Sequence, residues 1–110
     1  LNSPSRATPR VYIVQESDGK DLSPARKFGE LKVLLPIGRQ VTITSDSVVE
    51  TLRTKLRGFG SRDHLLLLGD PISIGIATAL ALEENKGRCN VLKWDRRNHC
   101  YESILVDLNQ

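Results

Sequence analysis

The apolar and polar positions of the chain follow two periods, and the switches between them lay out the elements. Residues 11–15, VYIVQ, are β-branched and aromatic, follow Pro9 and stop before Ser17-Asp18-Gly19, which predicts a first strand closed by a turn. The stretch DGKDLSPARKFGEL (18–31) mixes charge with Pro24 and Gly29, so an irregular connection with one helical turn is expected there. KVLLP (32–36) and QVTIT (40–44) flank Pro36-Ile37-Gly38-Arg39, where glycine supplies the positive φ of a tight turn, and a hairpin is predicted. Ser47 and Glu50 have the S-x-x-E spacing of a capping box, and Val48, Val49, Leu52 and Leu56 then recur at helical spacing as far as Gly58.

HLLLL (64–68) is a short continuous apolar run, as expected of a central strand covered on both faces. Asp70 then suits an N-cap and Pro71 the first helical position, so a second helix is predicted over 71–85, with Gly87 at its C-terminal cap. CNVLKW (89–94) and HCYESILVDL (99–108) are strand-like runs joined by Asp95-Arg96-Arg97-Asn98, a second hairpin. The order β-ββ-α-β-α-ββ defines an α/β chain: a mixed central sheet of about six strands, two flanking helices and at least one right-handed parallel crossover. Residues 1–10, rich in proline, serine and arginine, are expected to form a flexible arm ahead of one α/β domain over 11–110.

The second helix departs from ordinary amphipathicity. Ile72, Ile74, Ile76, Ala77, Ala79, Leu80, Ala81 and Leu82 leave almost no polar side. A sheet buries one side of a helix, so the other side needs a cover as well, supplied by the N-terminal connection or by a partner chain. In the second case Ile72, Ile76, Ala79 and Leu80 are the candidate interface residues, and a homodimer is one form it takes.

Composition narrows the class without changing this layout. With 110 residues, 39% hydrophobic and 26% charged, the chain is one globular domain, and Ile72 to Leu82 is about half the roughly 20 residues a bilayer span needs, so no membrane partner is expected. The net charge of +3 is modest, but the cations cluster: Arg53, Lys55, Arg57 and Arg62 in one stretch, Lys86, Arg88, Lys93, Arg96 and Arg97 in another.

Three constellations are candidates for chemistry. At the strand-to-helix turn Gly69, Asp70 and Ser73 lie where ligands of open α/β sheets collect, yet Asp70 opposes an anion and neither G-x-G-x-x-G nor G-x-x-x-x-G-K-[ST] occurs. Cys89, His99 and Cys100 give neither a metal spacing nor a nucleophile pair, because adjacent strand residues point to opposite faces, and reduced thiols are favoured over a bridge. Hence no catalytic residue, metal ligand or cofactor is expected. KGRCNVLKWDRRNHCY sets Lys86, Arg88, Lys93, Arg96 and Arg97 beside Trp94, and with Arg53 and Arg57 these form a candidate nucleic-acid surface, since cations neutralise phosphate and aromatic faces stack bases.

ARKFGEL (25–31), LLLLGDP (65–71), NKGR (85–88) and KWDRR (93–97) together resemble a small family of proteins without an established activity, carried by short-tailed phages that include those of cyanobacteria. The likeness runs through most of the chain from about residue 10 and brings no catalytic residue with it. It implies a place in the cytoplasm of an infected bacterium and a part in phage DNA metabolism, in takeover of a host enzyme or in assembly. The resulting expectation is a small non-enzymatic protein that binds a host or phage protein. The alternatives are a nucleic-acid module on the 86–97 hairpin and Trp94, and a nucleotide or enzymatic site at 69–73.

Overall fold

The computed structural model describes residues 8–38 and 46–110. Five strands form one sheet: β1 (Arg10–Gln15), β2 (Glu30–Leu35), β3 (His64–Leu66), β4 (Arg88–Asp95) and β5 (Cys100–Asp107), in the spatial order β2-β1-β3-β4-β5. The first three pairings across the sheet are parallel and only β4–β5 is antiparallel. Two α-helices, α1 (Asp46–Lys55) and α2 (Pro71–Glu84), and a 3-10 helix at Ser23–Phe28 complete the order.

The α/β architecture, the mixed sheet and the two flanking helices are as the sequence predicts, with five strands among the described residues against about six expected. The second arm of the first expected hairpin, residues 40–44, lies outside the described residues, as does most of the 1–10 arm. The first arm is β2, and its partner is β1, in parallel register with Val11 beside Leu31 and Ile13 beside Val33. Physically this follows from β1 itself: Val11, Tyr12, Ile13 and Val14 are all buried, so both faces are covered and both edges are paired.

Two clusters make the core. On one face Tyr12, Val14 and Leu34 of the sheet meet Val48 and Leu52 of α1, Leu56 and Phe59 just beyond it, and Ala77, Leu80 and Ala81 of α2. On the opposite face Val11, Ile13, Leu66, Leu92 and Tyr101 lie under Ala25 of the 3-10 helix, with Leu22 and Phe28 beside it. The split obeys the right-handed crossover rule: the β1-to-β2 connection moves one way along the sheet, those through α1 and α2 move the other way, and they lie on opposite faces. Gly29 makes the short crossover fit, because at φ 154 it passes so close to Pro9 that a Cβ would lie 2.5 Å from the Pro9 carbonyl oxygen.

The direction of the chain reverses between β1 and β3. The connections leaving their carboxyl ends therefore run in opposite directions, and the crevice outside them is the topological switch point at which open α/β sheets bind ligands. The Gly69-Asp70-Pro71 turn is one wall of that crevice.

Candidate functional site

At the switch point nearly every group already has a use. Asp70 caps α2 by accepting from the Ser73 backbone N–H at 3.0 Å and from its hydroxyl at 3.1 Å, and the Ser73 side chain is fully buried. Gln15, at the end of β1 and almost fully buried, accepts from the Asp70 backbone N–H through Oε1 at 2.8 Å and donates through Nε2 to the Pro36 carbonyl at 3.1 Å. One amide thus ties together the carboxyl ends of β1 and β2 and the start of α2. Gly69, at φ 119, lies so tightly on this side chain that a Cβ would run into Gln15 Cβ and Oε1.

The remaining crevice, about 380 Å³, is open and bordered by Glu16, Asp18 and Asp70. Three carboxylates beside a helix N-terminus cancel the field that would attract an anion. Ser73, one of the sequence's ligand candidates, does not reach the crevice.

The basic residues do not form one surface. Lys86 and Arg88 stand at the start of β4, while Lys93 is near its end and Arg96 and Arg97 follow it, so the strand's eight residues, about 25 Å of extended chain, separate the two groups. At the first end Arg53 of α1 pairs with Glu83 of α2 at 2.7 Å and Arg88 pairs with Asp107 at 3.3 Å, while Lys55 reaches along the sheet to donate to the Leu34 carbonyl of β2 at 2.8 Å. Arg57 is exposed nearby. Arg53, Lys55 and Arg88 are therefore spent on tying elements together.

At the other end the turn is organised by Asp95, which accepts from the Arg97 and Asn98 backbone N–H groups and from the Asn98 side chain at 2.8 Å. Those bonds, the Asn98 side chain first, hold its carboxyl below the usual range. Lys93, Arg96 and Arg97 all project into solvent there.

Trp94 packs edge-on against Tyr101, its cross-strand neighbour, at 4.9 Å, and remains 40% exposed. It stands between a depression of about 470 Å³ that Arg96, Arg97 and Glu102 help to line and one of about 490 Å³ against Gly19, Lys20 and Asp21. Of the expected cationic–aromatic surface, the structure brings together Lys93, Trp94, Arg96 and Arg97, and leaves Arg53, Arg57, Lys86 and Arg88 elsewhere.

The outer side of α2 is the third candidate. Ile72 is 53% exposed, Gly75 and Ala79 face solvent, and Ile76 and Leu82 are half-buried against the core. Beside them a groove of about 420 Å³ runs from Ala79 and Leu82 to the exposed Leu108. The N-terminal connection does not cover this side, because the 3-10 helix lies on the opposite face of the sheet. Leu80 is a correction to the expected interface: it is only 8% exposed and belongs to the core.

Cys89 is fully buried on the helical face, where desolvation pushes its thiol up to about 11, and Cys100 is half-buried near the other end of the hairpin. The register pairs Cys89 with Val106 and Cys100 with Asp95, far apart, and both thiols are free. His64 is held elsewhere, bonded to the Ser103 hydroxyl at 2.9 Å and packed on Phe28. Desolvation, the largest cause, lowers its pKa.

Among the described residues no group of three or more His, Cys, Asp and Glu could hold a metal ion, and no helix is long and apolar enough to cross a membrane. The sequence places Gln15 on the first strand and residues 99–108 on another, but it does not show the bridging role of Gln15 or the edge position of β5. The signals were a lone amide ending an apolar run, and SILV (103–106), where apolar residues do not alternate.

The geometry defines a small α/β protein in which the polar groups of the junction are consumed by its own architecture and the depressions beside the junction, Trp94 and α2 are open. The family model described as Phage Pam3 gp32-like protein matches residues 9–108, and the chain belongs to that family of phage proteins. No curated protein and no solved structure matches it.

Proposed function

We propose that this phage protein acts without catalysis, in the cytoplasm of the infected host, by docking a host or phage protein through the outer side of α2. The observation that carries the reading is the apolar strip Ile72, Gly75 and Ala79, open on a helix whose other side is packed into the core. An exposed isoleucine surrounded by small residues lets a partner's backbone or side chains approach closely, and burying it removes apolar area from water at about 25 cal/mol per Å². The turn at Gly69-Asp70 supports the same reading from the other side, since its amide and capping bonds already use the Asp70 and Ser73 N–H groups.

Affinity capture from infected-host lysate, with Ala79→Arg as the paired control, tests the assignment. A defined protein retained by the natural chain and lost with Ala79→Arg is expected. Retention of the same proteins by both rejects the α2 surface.

A second reading rests on Trp94 beside Lys93, Arg96 and Arg97. A single-stranded nucleic acid would stack on the indole while the cations neutralise phosphate, so binding would quench or shift Trp94 fluorescence and weaken with salt. Arg96→Ala with Arg97→Ala should then reduce both the affinity and its salt dependence, and binding unchanged by that pair discards the hairpin tip.

A further inference from the structure

The outer edge of β5 is unlike the rest of the sheet. The Leu108 backbone N–H donates to the Gly87 carbonyl at 2.8 Å, which makes that pair a hydrogen-bonded rung. Antiparallel ladders alternate. Through the unbroken register, Cys89–Val106, Val91–Ile104, Lys93–Glu102 and Asp95–Cys100 are then also bonded rungs. The N–H and C=O groups of Tyr101, Ser103, Leu105 and Asp107 consequently point away from β4, and among the described residues no strand pairs with that side.

Sheet edges are ordinarily protected by charged side chains, lysine above all, by a proline, a bulge or a short strand. Of these residues 100–107 have only two acids, Glu102 and Asp107, the second paired with Arg88: CYESILVD contains no basic residue or proline, runs for eight residues and keeps its register throughout. Its middle is apolar on both faces of the sheet, with Ile104 41% and Leu105 54% exposed.

We propose that this edge pairs with the same edge of a second copy, joining two five-stranded sheets into one of ten around a twofold axis. The self-complementarity of the sequence selects this occupant. With the axis at Ile104, Ser103 faces Leu105 of the second copy and Tyr101 faces its Asp107, and these are the residues whose backbone groups point outward, so each such pair exchanges two hydrogen bonds. Ile104 meets its own counterpart and Glu102 meets Val106. No like charges oppose each other, and the two exposed aliphatic side chains are covered.

The seam is one strand wide, so the dimer forms in a concentration-dependent equilibrium. It rests on the backbone edge of β5 and does not depend on the docking role of α2, whose groove reaches Leu108 but whose exposed Ile72 is at the other end of the helix.

Sedimentation equilibrium over a concentration series, combined with amide hydrogen exchange, tests it. The expected result is a monomer–dimer equilibrium, with exchange at Tyr101, Ser103, Leu105 and Asp107 slowing as concentration rises. Leu105→Lys should give a monomer with an unchanged circular-dichroism spectrum. Leu105→Pro should do the same, because the N–H it removes points outward. Ile72→Lys should leave the dimer intact.

A natural chain that is monomeric up to its solubility limit overturns the proposal. So does a dimer that survives Leu105→Lys, or one that Ile72→Lys dissociates, which would put the contact on α2.

Discussion

The β3–α2 junction and the β4–β5 hairpin both reach the carboxyl end of the parallel strands, and they use their polar groups in opposite ways. At the junction Gln15, Asp70 and Ser73 satisfy one another and the neighbouring backbone, and Gly69 is pressed against Gln15. The hairpin tip satisfies only its own turn, through Asp95, and leaves Trp94, Arg96 and Arg97 facing outward, as β5 does one full strand edge. The contrast teaches that a motif in the position of a binding loop need not bind anything. A turn that must start a helix and anchor two strand ends has little left with which to hold a ligand. Changes at the junction should therefore be felt as lost stability, and changes at the hairpin as lost association.

The largest effect is expected at Gly69. An alanine there must adopt φ 119 and push its Cβ into Gln15, which cannot swing aside without giving up both the Asp70 N–H and the Pro36 carbonyl. Backbone strain and overpacking together should destabilise Gly69→Ala by about 3 kcal/mol or more in urea denaturation. A change within about 0.5 kcal/mol, the level of an ordinary surface substitution, would mean that the junction is looser than its hydrogen bonds imply.

Cys89 and Cys100 divide the hairpin itself into a core half and an open half. Burial raises the Cys89 pKa from 9.0 to about 11, so the folded state holds its proton where the unfolded state releases it. The stabilisation is complete below pH 9 and is lost as pH rises toward about 11. Natural protein should lose stability across that window more steeply than Cys89→Ala, and parallel curves would contradict the assignment. Cys100, half-buried and outside the helical core, should also be alkylated before Cys89 under native conditions.

Asp70→Ala should cost less than the glycine change, about 1 kcal/mol, the ordinary value of a lost N-cap. Binding supplies a sharper test than the magnitude. If the turn were a phosphate site blocked only by its own carboxylate, Asp70→Asn, which keeps a capping oxygen without the charge, would acquire affinity for inorganic phosphate. Calorimetric titration should show none, since Glu16 and Asp18 still border the crevice.

Much of this arrangement is written in local sequence. The N-cap Asp70, the following Pro71, the continuous apolar run at 64–68 and the Asp–Asn turn at 95–98 each determine their structure from neighbouring residues, so they could be read directly. The C-terminal cap of α2 was off by one residue: Lys86 takes the left-handed conformation at φ 59, while Gly87 donates to the Leu82 carbonyl at 2.7 Å. What could not be read depends on residues far apart in the chain. Gln15 acquires its role only when Pro36 and Asp70 come beside it, and the pairing of β1 with β2 depends on how a 3-10 crossover packs. The two basic clusters looked like one surface because 86–97 is contiguous in sequence, whereas an extended strand carries its ends to opposite edges of the molecule.

The smallest stability change belongs to the hairpin tip, and there it is the absence of an effect that matters. Arg96 and Arg97 have exposed side chains, and the turn is held by Asp95 and Asn98, so replacing both arginines with alanine should alter unfolding free energy by less than about 0.5 kcal/mol. If oligonucleotide binding falls while stability does not move, the tip is a surface kept open for a ligand. A loss of stability near that of Asp70→Ala would instead show that the arginines brace the turn, and the contrast between a consumed junction and an open hairpin would no longer hold. Trp94 fluorescence reports on both outcomes in the same titration, because the indole is partly exposed and rests on Tyr101 at the base of the tip.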